Sequence, residues 1–220
     1  MIRKVLRSLL SPTKGPDRHA WDFHSAKINE SQFLQIEAKY RDADPDPGFS
    51  KYLDPKQYLN VALGHYKMVG IAAKPKAAIL DIGTGAGYFP FVCANLGHDV
   101  QAMDVVQNDF YREMTLLLGL RRCEHRIEPF QELPRLSQKF DYITAFAICF
   151  NCHATDRLWG PKEWDYFIND LRTHHANPGC VLFLKLNREP NGEFYTDELR
   201  EFFKGQQAEI TNDVVRVALA

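Results

Sequence analysis

No apolar run in this 220-residue chain approaches the length a helix needs to cross a bilayer, so the sequence predicts no transmembrane segment. Charge of one sign is missing too: the formal net charge is −1, and no long basic stretch supplies what a phosphate backbone demands. A nucleic acid partner is therefore disfavoured. Cysteine is sparse, with five scattered residues that do not pair off, and no apolar core with a cleavage site marks a secretory leader. A reducing cytoplasm is the expected compartment. Repeats and low-complexity linkers are absent as well. The 45% apolar content suffices for one sizeable core, giving a domain over 76–220 behind an N-terminal helical extension or lid over 1–75.

What the chain does have is concentrated in Ala78-Ile-Leu-Asp-Ile-Gly-Thr-Gly-Ala-Gly-Tyr-Phe89. Ala77 to Ile82 is too short for a free-standing helix and is bounded by Pro75 and Gly83, which reads as a strand covered on both faces. Gly83, Gly85 and Gly87 let the backbone turn tightly and approach a ligand. Tyr88 to Leu96 then reads as a helix, with Pro90 in its first turn and Gly97 as its stop. A second strand over His98 to Val106 carries Asp104, followed by Val105, where a carboxylate can accept two hydroxyl hydrogen bonds from a ribose. Nicotinamide and flavin sites favour GxGxxG, whose third glycine would fall at Tyr88, so the GxGxG spacing here argues against them.

These residues resemble the first motif of class I S-adenosylmethionine-dependent methyltransferases, in Leu80-Asp81-Ile82-Gly83-Thr84-Gly85-Ala86-Gly87, and the likeness runs from about Ala77 to the C-terminus. The resemblance implies a Rossmann-like three-layer α/β sandwich around a mostly parallel seven-stranded sheet whose last strand is antiparallel. It implies S-adenosylmethionine as cofactor. Asp81 would stand near the methionine amino group, Gly83, Thr84, Gly85 and Gly87 along the carboxylate and sulfonium, and Asp104 with Val105 at the ribose. A third strand over roughly Glu124 to Phe130 would bring Phe130 to the adenine. Lys-Phe-Asp141-Tyr-Ile-Thr-Ala-Phe146 resembles the fourth-strand segment that leads into the active site, so Phe146 to His153 would line the wall between cofactor and acceptor.

Further along, Pro161 to His175 has helical spacing and Asn177-Pro-Gly179 ends it; Cys180 to Leu186 reads as the fifth strand. Thr196 caps a helix through Gly205, and Ala208 to Leu219 reads as two strands turning at Asn212-Asp213. Upstream, Asp54 and Pro55 start a helix that runs through Val69. Asp42 to Gly48 reads as a loop, and Lys51, Tyr52 and Tyr66 are candidate lid residues. Ile2, Val5, Leu6, Leu9 and Leu10 alternate with Arg3, Lys4 and Arg7 at helical spacing; residues 2–10 either pack on the domain or rest on an anionic membrane surface.

Cys149-Phe-Asn-Cys152-His153 satisfies the C-x-x-C-H sequence of c-type haem attachment, but Cys149 is read as part of a buried strand, and haem attachment needs accessible sulfurs. A zinc set from Cys149, Cys152, His153 and His174 or His175 matches no structural spacing, so no metal is expected and the cysteines read as buried and inert. His153 is the candidate general base at the crevice mouth; Asn151, Lys185 and Asn187 are candidates to orient an acceptor. The chain lacks the Asn- or Asp-Pro-Pro-Tyr of the family's adenine and glutamine methylases. The expected acceptor is a small molecule or sugar, methylated at a hydroxyl. A nicotinamide-dependent oxidoreductase and a non-catalytic S-adenosylmethionine-binding protein stay open beside that reading.

Overall fold

The computed structural model describes residues 18–41, 49–105, 109–152, 155–189 and 192–219. Its centre is a seven-stranded sheet of order β3-β2-β1-β4-β5-β7-β6. The strands are β1 (Ala78–Ile82), β2 (Asp99–Asp104), β3 (Arg122–Glu124), β4 (Phe140–Phe146), β5 (Ala176–Lys185), β6 (Glu209–Thr211) and β7 (Val214–Ala218). The first five run parallel, while β7 is antiparallel to both β5 and β6. Strand number and polarity match what the sequence resemblance implies.

Helices cover both faces. On one lie α1 (Arg18–Ser25), α2 (Glu30–Arg41), α3 (Pro55–Val69), α4 (Tyr88–Asn95) and α5 (Asp109–Leu117), whose Phe33, Leu59, Val92 and Phe110 share a core with Ile79, Val100 and Phe183. On the other lie α6 (Pro161–Asp170) and α7 (Asp197–Gly205), with Trp164, Phe167 and Phe203 packed over Leu80, Ile143 and Leu182. Their local causes are the ones the sequence names. The Asp54 carboxylate accepts the Gln57 amide at 2.9 Å, Pro55 opens α3, and Gly70 closes it at φ 79°. Thr196 caps α7 by accepting from the Leu199 amide at 3.2 Å.

Asp141 fixes the amino ends of the central strands. Its carboxylate accepts from the Ala78 amide at 2.8 Å, from Lys74 at 2.6 Å and from the Asn177 side chain at 3.0 Å. Burial opposes its charge, but these donors together hold the carboxyl below the usual range. His98 does the same next door: its Nδ1 accepts from the Ala77 amide at 3.1 Å, so its Nε2 carries the proton and faces the Tyr66 hydroxyl at 3.0 Å. Tyr66, a candidate lid residue, is thus a strut under the sheet.

Two boundaries differ from the sequence reading. β3 spans Arg122–Glu124 rather than roughly Glu124 to Phe130, because Pro129 has no amide to offer a ladder and Phe130 takes a left-handed φ of 60°. β5 starts at Ala176 rather than Cys180, since Asn177-Pro-Gly179 forms an irregularity inside the strand, between its pairing with Phe140 and with Tyr142. Residues 2–10, the 42–48 loop and His153 lie outside the described residues. Among the described residues no helix is long and apolar enough to cross a membrane.

Candidate functional site

The crevice opens where parallel strands end. β1 and β2 finish side by side, and the loop that follows β1 is tied to β2: the Gly83 and Thr84 amides donate to the Met103 carbonyl at 2.8 and 3.2 Å. Gly83, Gly85 and Gly87 take φ values of 69°, 55° and 85°, a region costly for any residue with a Cβ. The neighbours differ. A Cβ on Gly87 would run into Leu120 and Thr115, so this glycine serves close packing. A Cβ on Gly83 would run into Ile148, so this one faces the segment that follows β4.

Two carboxylates flank the loop. Asp104, at the tip of β2, accepts the Gly85 amide on Oδ2 at 2.5 Å and the Val105 amide on Oδ1 at 2.7 Å. Each oxygen keeps a lone pair for a further donor. Asp81 is buried, accepting from the Thr144 hydroxyl at 2.7 Å on one oxygen and from the Thr84 hydroxyl on the other. Burial pushes its carboxyl up to about 7, against those two hydroxyls and assisted by the negative charge of Asp104.

Ile82, Gly83, Asp104, Val105, Arg126, Ile127, Ile148, Cys149 and Asn151 line a cavity of about 150 Å³ at this point. Of the residues expected along the cofactor, Asp81, Thr84, Gly85, Gly87 and Phe130 are not among them. Phe130 is half exposed and meets Tyr166 edge-on at 5.8 Å, whereas Arg126 and Ile127, from the segment after β3, line the cavity.

β4 ends in a sharp turn. Phe146 faces α3 and α4, stacked on His65 at 4.2 Å and against Phe89 at 4.6 Å, rather than lining the crevice. Burial, with the Lys185 charge nearby, lowers His65 to about 4. Ala147 then takes φ 54°, donates to the Lys185 carbonyl at 2.8 Å and receives the Asn187 side-chain amide at 2.9 Å. That turn drops Ile148 over Gly83. Asn151 is held in place: its side-chain amide donates to the Thr155 carbonyl at 2.6 Å, and its carbonyl accepts from the Trp159 indole at 2.8 Å. Lys185 is paired with Asp213. Cys149 is exposed beyond the end of β4 rather than inside a buried strand, while Cys152 is buried.

A larger cavity of about 480 Å³ lies on the other side of Ile148 and Cys149, which line both. It is walled by Trp159 and Trp164 and by the segment between β5 and α7, which contributes Asn187, Glu189, Phe194 and Tyr195; Asp156 and Glu198 also line it. Apart from Asn187, the sequence reading assigns no site role to these residues. The run Glu193-Phe-Tyr-Thr-Asp-Glu198 was the available signal, an acidic and aromatic stretch following a core strand.

Gly83 lies under Ile148, and Asp104 accepts two backbone amides at the edge of the cavity. Architecture and site together define a Rossmann-like α/β protein with a glycine-loop crevice at the carboxyl ends of its parallel strands.

Neither a protein-family model nor a curated protein matches the sequence. Similar solved structures include a SAM-dependent methyltransferase from Aquifex aeolicus, at 18% identity and TM-score 0.49, over 86% of this chain and 98% of that one. CalS10, an amino pentose methyltransferase from Micromonospora echinaspora, is similar at 21% identity and TM-score 0.46, over 63% of this chain and 55% of that one. Streptomyces venezuelae DesVI is similar at 14% identity and TM-score 0.46, over 74% of this chain and 60% of that one. The chain thus spans little more than half of the last two, and at these scores the likeness carries no argument about its activity.

Proposed function

We propose that this chain is an S-adenosylmethionine-dependent methyltransferase acting on a small molecule, with the cofactor along Gly83 to Gly87 and Asp104 and the acceptor in the cavity between Trp159 and Tyr195. The observation that carries the reading is the shared wall: Ile148 and Cys149 line both spaces, so moving Ile148 aside would join them and bring a donor in one into direct contact with an acceptor in the other. The cofactor would supply a sulfonium methyl group. The chain's own task is to align two reactants and keep water out, which needs little acid or base help.

The crevice is smaller than the roughly 300–1,000 Å³ of small-molecule pockets, so Ile148 must lift off Gly83 to admit the cofactor. Asp156, Glu189 and Glu198 beside Trp159 and Trp164 favour an acceptor with a basic nitrogen, held by carboxylates and aromatic faces. These carboxylates can also take the proton the nitrogen must lose to become a nucleophile. Methylation of a hydroxyl, with His153 as base and Asn151 orienting the acceptor, rests on sequence position alone. A nicotinamide-dependent oxidoreductase is disfavoured by Tyr88, which stands where a third glycine belongs and whose hydroxyl is committed to the Tyr52 carbonyl at 2.8 Å.

The experiment is release of S-adenosylhomocysteine on presenting paired amine and hydroxyl acceptors, amino sugars and aromatic amines among them. Turnover of the amine alone, with KM raised in Glu198→Gln, supports the basic-nitrogen reading. Turnover of the hydroxyl, abolished in His153→Ala, overturns it in favour of the histidine. Cofactor binding with no turnover on any acceptor leaves a binding protein.

A further inference from the structure

A group of metal-ligating side chains lies far from the crevice, where α6 passes into β5. Glu132, Asp170 and His174 each place one ligand atom within 4.8 Å of the others. Asp170 and His174 stand four residues apart where α6 widens into the π-helical turn Leu171–His175, a local geometry often found at functional positions. Glu132 arrives from the segment before β4, with Oε1 3.7 Å from His174 Nε2 and Oε2 held by Arg135 at 3.0 Å. The Leu133 amide donates to Asp170 Oδ2 at 2.9 Å and fixes that carboxylate beside Glu132.

Acidic surfaces are common without ions; the burial here is what differs. Asp170 is only 6% exposed, and among the described residues its Oδ1 has no hydrogen-bond partner. His175 is 1% exposed; among the described residues neither ring nitrogen has a hydrogen-bond partner, and Nε2 lies 3.8 Å from Asp170 Oδ2. Buried charged groups in native proteins are paired or coordinate metals, and an orphaned buried polar atom calls for a missing partner.

We propose that Glu132, Asp170 and His174 bind one divalent transition-metal ion of the zinc type. Two carboxylates and an imidazole suit a borderline ion with few ligands, whereas calcium and magnesium seek shells of oxygen alone. The ion supplies the Asp170 carboxylate with its missing partner and clasps the segment before β4 to the α6–β5 junction. This lies at the amino-terminal end of β5, opposite the crevice, so the role is structural. Neither Cys149 nor Cys152 belongs to this group.

The test is zinc itself. The metal content of the full chain is measured after loading with zinc sulfate and dialysis against metal-free buffer, and its melting temperature is measured separately with and without added zinc. The expected results are about one zinc per chain and a melting temperature raised by roughly 5–10 °C at zinc about a hundredfold above Kd. His174→Ala, at a partly exposed position, and Asp170→Asn, which keeps an acceptor for the Leu133 amide, should both lose the zinc and the thermal response. Cys149→Ser/Cys152→Ser should keep both. Zinc washing out of the unmodified chain, or staying in His174→Ala while leaving the cysteine variant, overturns the proposal.

Discussion

Gly85 donates its backbone N–H to Asp104, nitrogen to Oδ2 at 2.5 Å, and so joins the glycine loop after β1 to the tip of β2. The same carboxylate also takes the Val105 amide. The two ends of the crevice are therefore held by one side chain, which also lines the cavity. In Asp104→Asn one oxygen becomes a donor, which can serve neither Gly85 nor Val105. That variant should bind ligand at least about tenfold more weakly while still folding, as a lost charge-assisted hydrogen bond of 1.5–3 kcal/mol implies; titration calorimetry beside circular dichroism checks both halves.

Gly83→Ala should be worse for binding than its size suggests. The alanine would have to hold φ near 69° and displace Ile148. The strain costs about 2 kcal/mol, a fall of roughly 4–8 °C in melting temperature, and the loop loses its bare approach to ligand. Gly97→Ala, with a positive φ and nothing near its Cβ, should show the thermal loss without the binding loss.

Asp81 gives the crevice a pH dependence. Its folded pKa, pushed up to about 7 by burial, lies above the unfolded value of 3.8. The stability this contributes is full below 3.8 and is lost as the pH rises through 7. A cationic ligand reverses the preference by favouring the ionised carboxylate. S-adenosylmethionine should therefore bind more tightly as the pH rises from about 6 to 8 and release a proton fraction near pH 6.5. Calorimetry in two buffers of different ionisation enthalpy reads that fraction, and it should vanish in Asp81→Asn.

Trp159→Phe should loosen the wall between the cavities. Its indole donates to the Asn151 carbonyl, and its ring packs on Phe150 and Trp164 at 5.1 and 5.6 Å. The ring contacts survive in phenylalanine and the hydrogen bond does not, so stability should drop by about 1–3 kcal/mol. Denaturant unfolding measures the drop.

The first strand, glycine loop and following helix were legible because each is written locally: a buried run, three glycines and a terminal Gly97. The same holds for α3 and α7, whose caps lie within three residues of their targets. Phe130 and Phe146 were placed by position along the chain, and that fails where one residue more or less reverses the face: β3 ends early, and Phe146 points toward His65. The second cavity and the Glu132–Asp170–His174 group escaped because their members come from separate segments that only the folded sheet brings together.

The most direct measurement is calorimetric titration of the chain with S-adenosylmethionine, S-adenosylhomocysteine and NAD, with Asp104→Ala as control. Micromolar binding of the first two, lost in the variant, and none of NAD is the expected result. Binding of NAD alone, or S-adenosylmethionine binding that survives in Asp104→Ala, would contradict it.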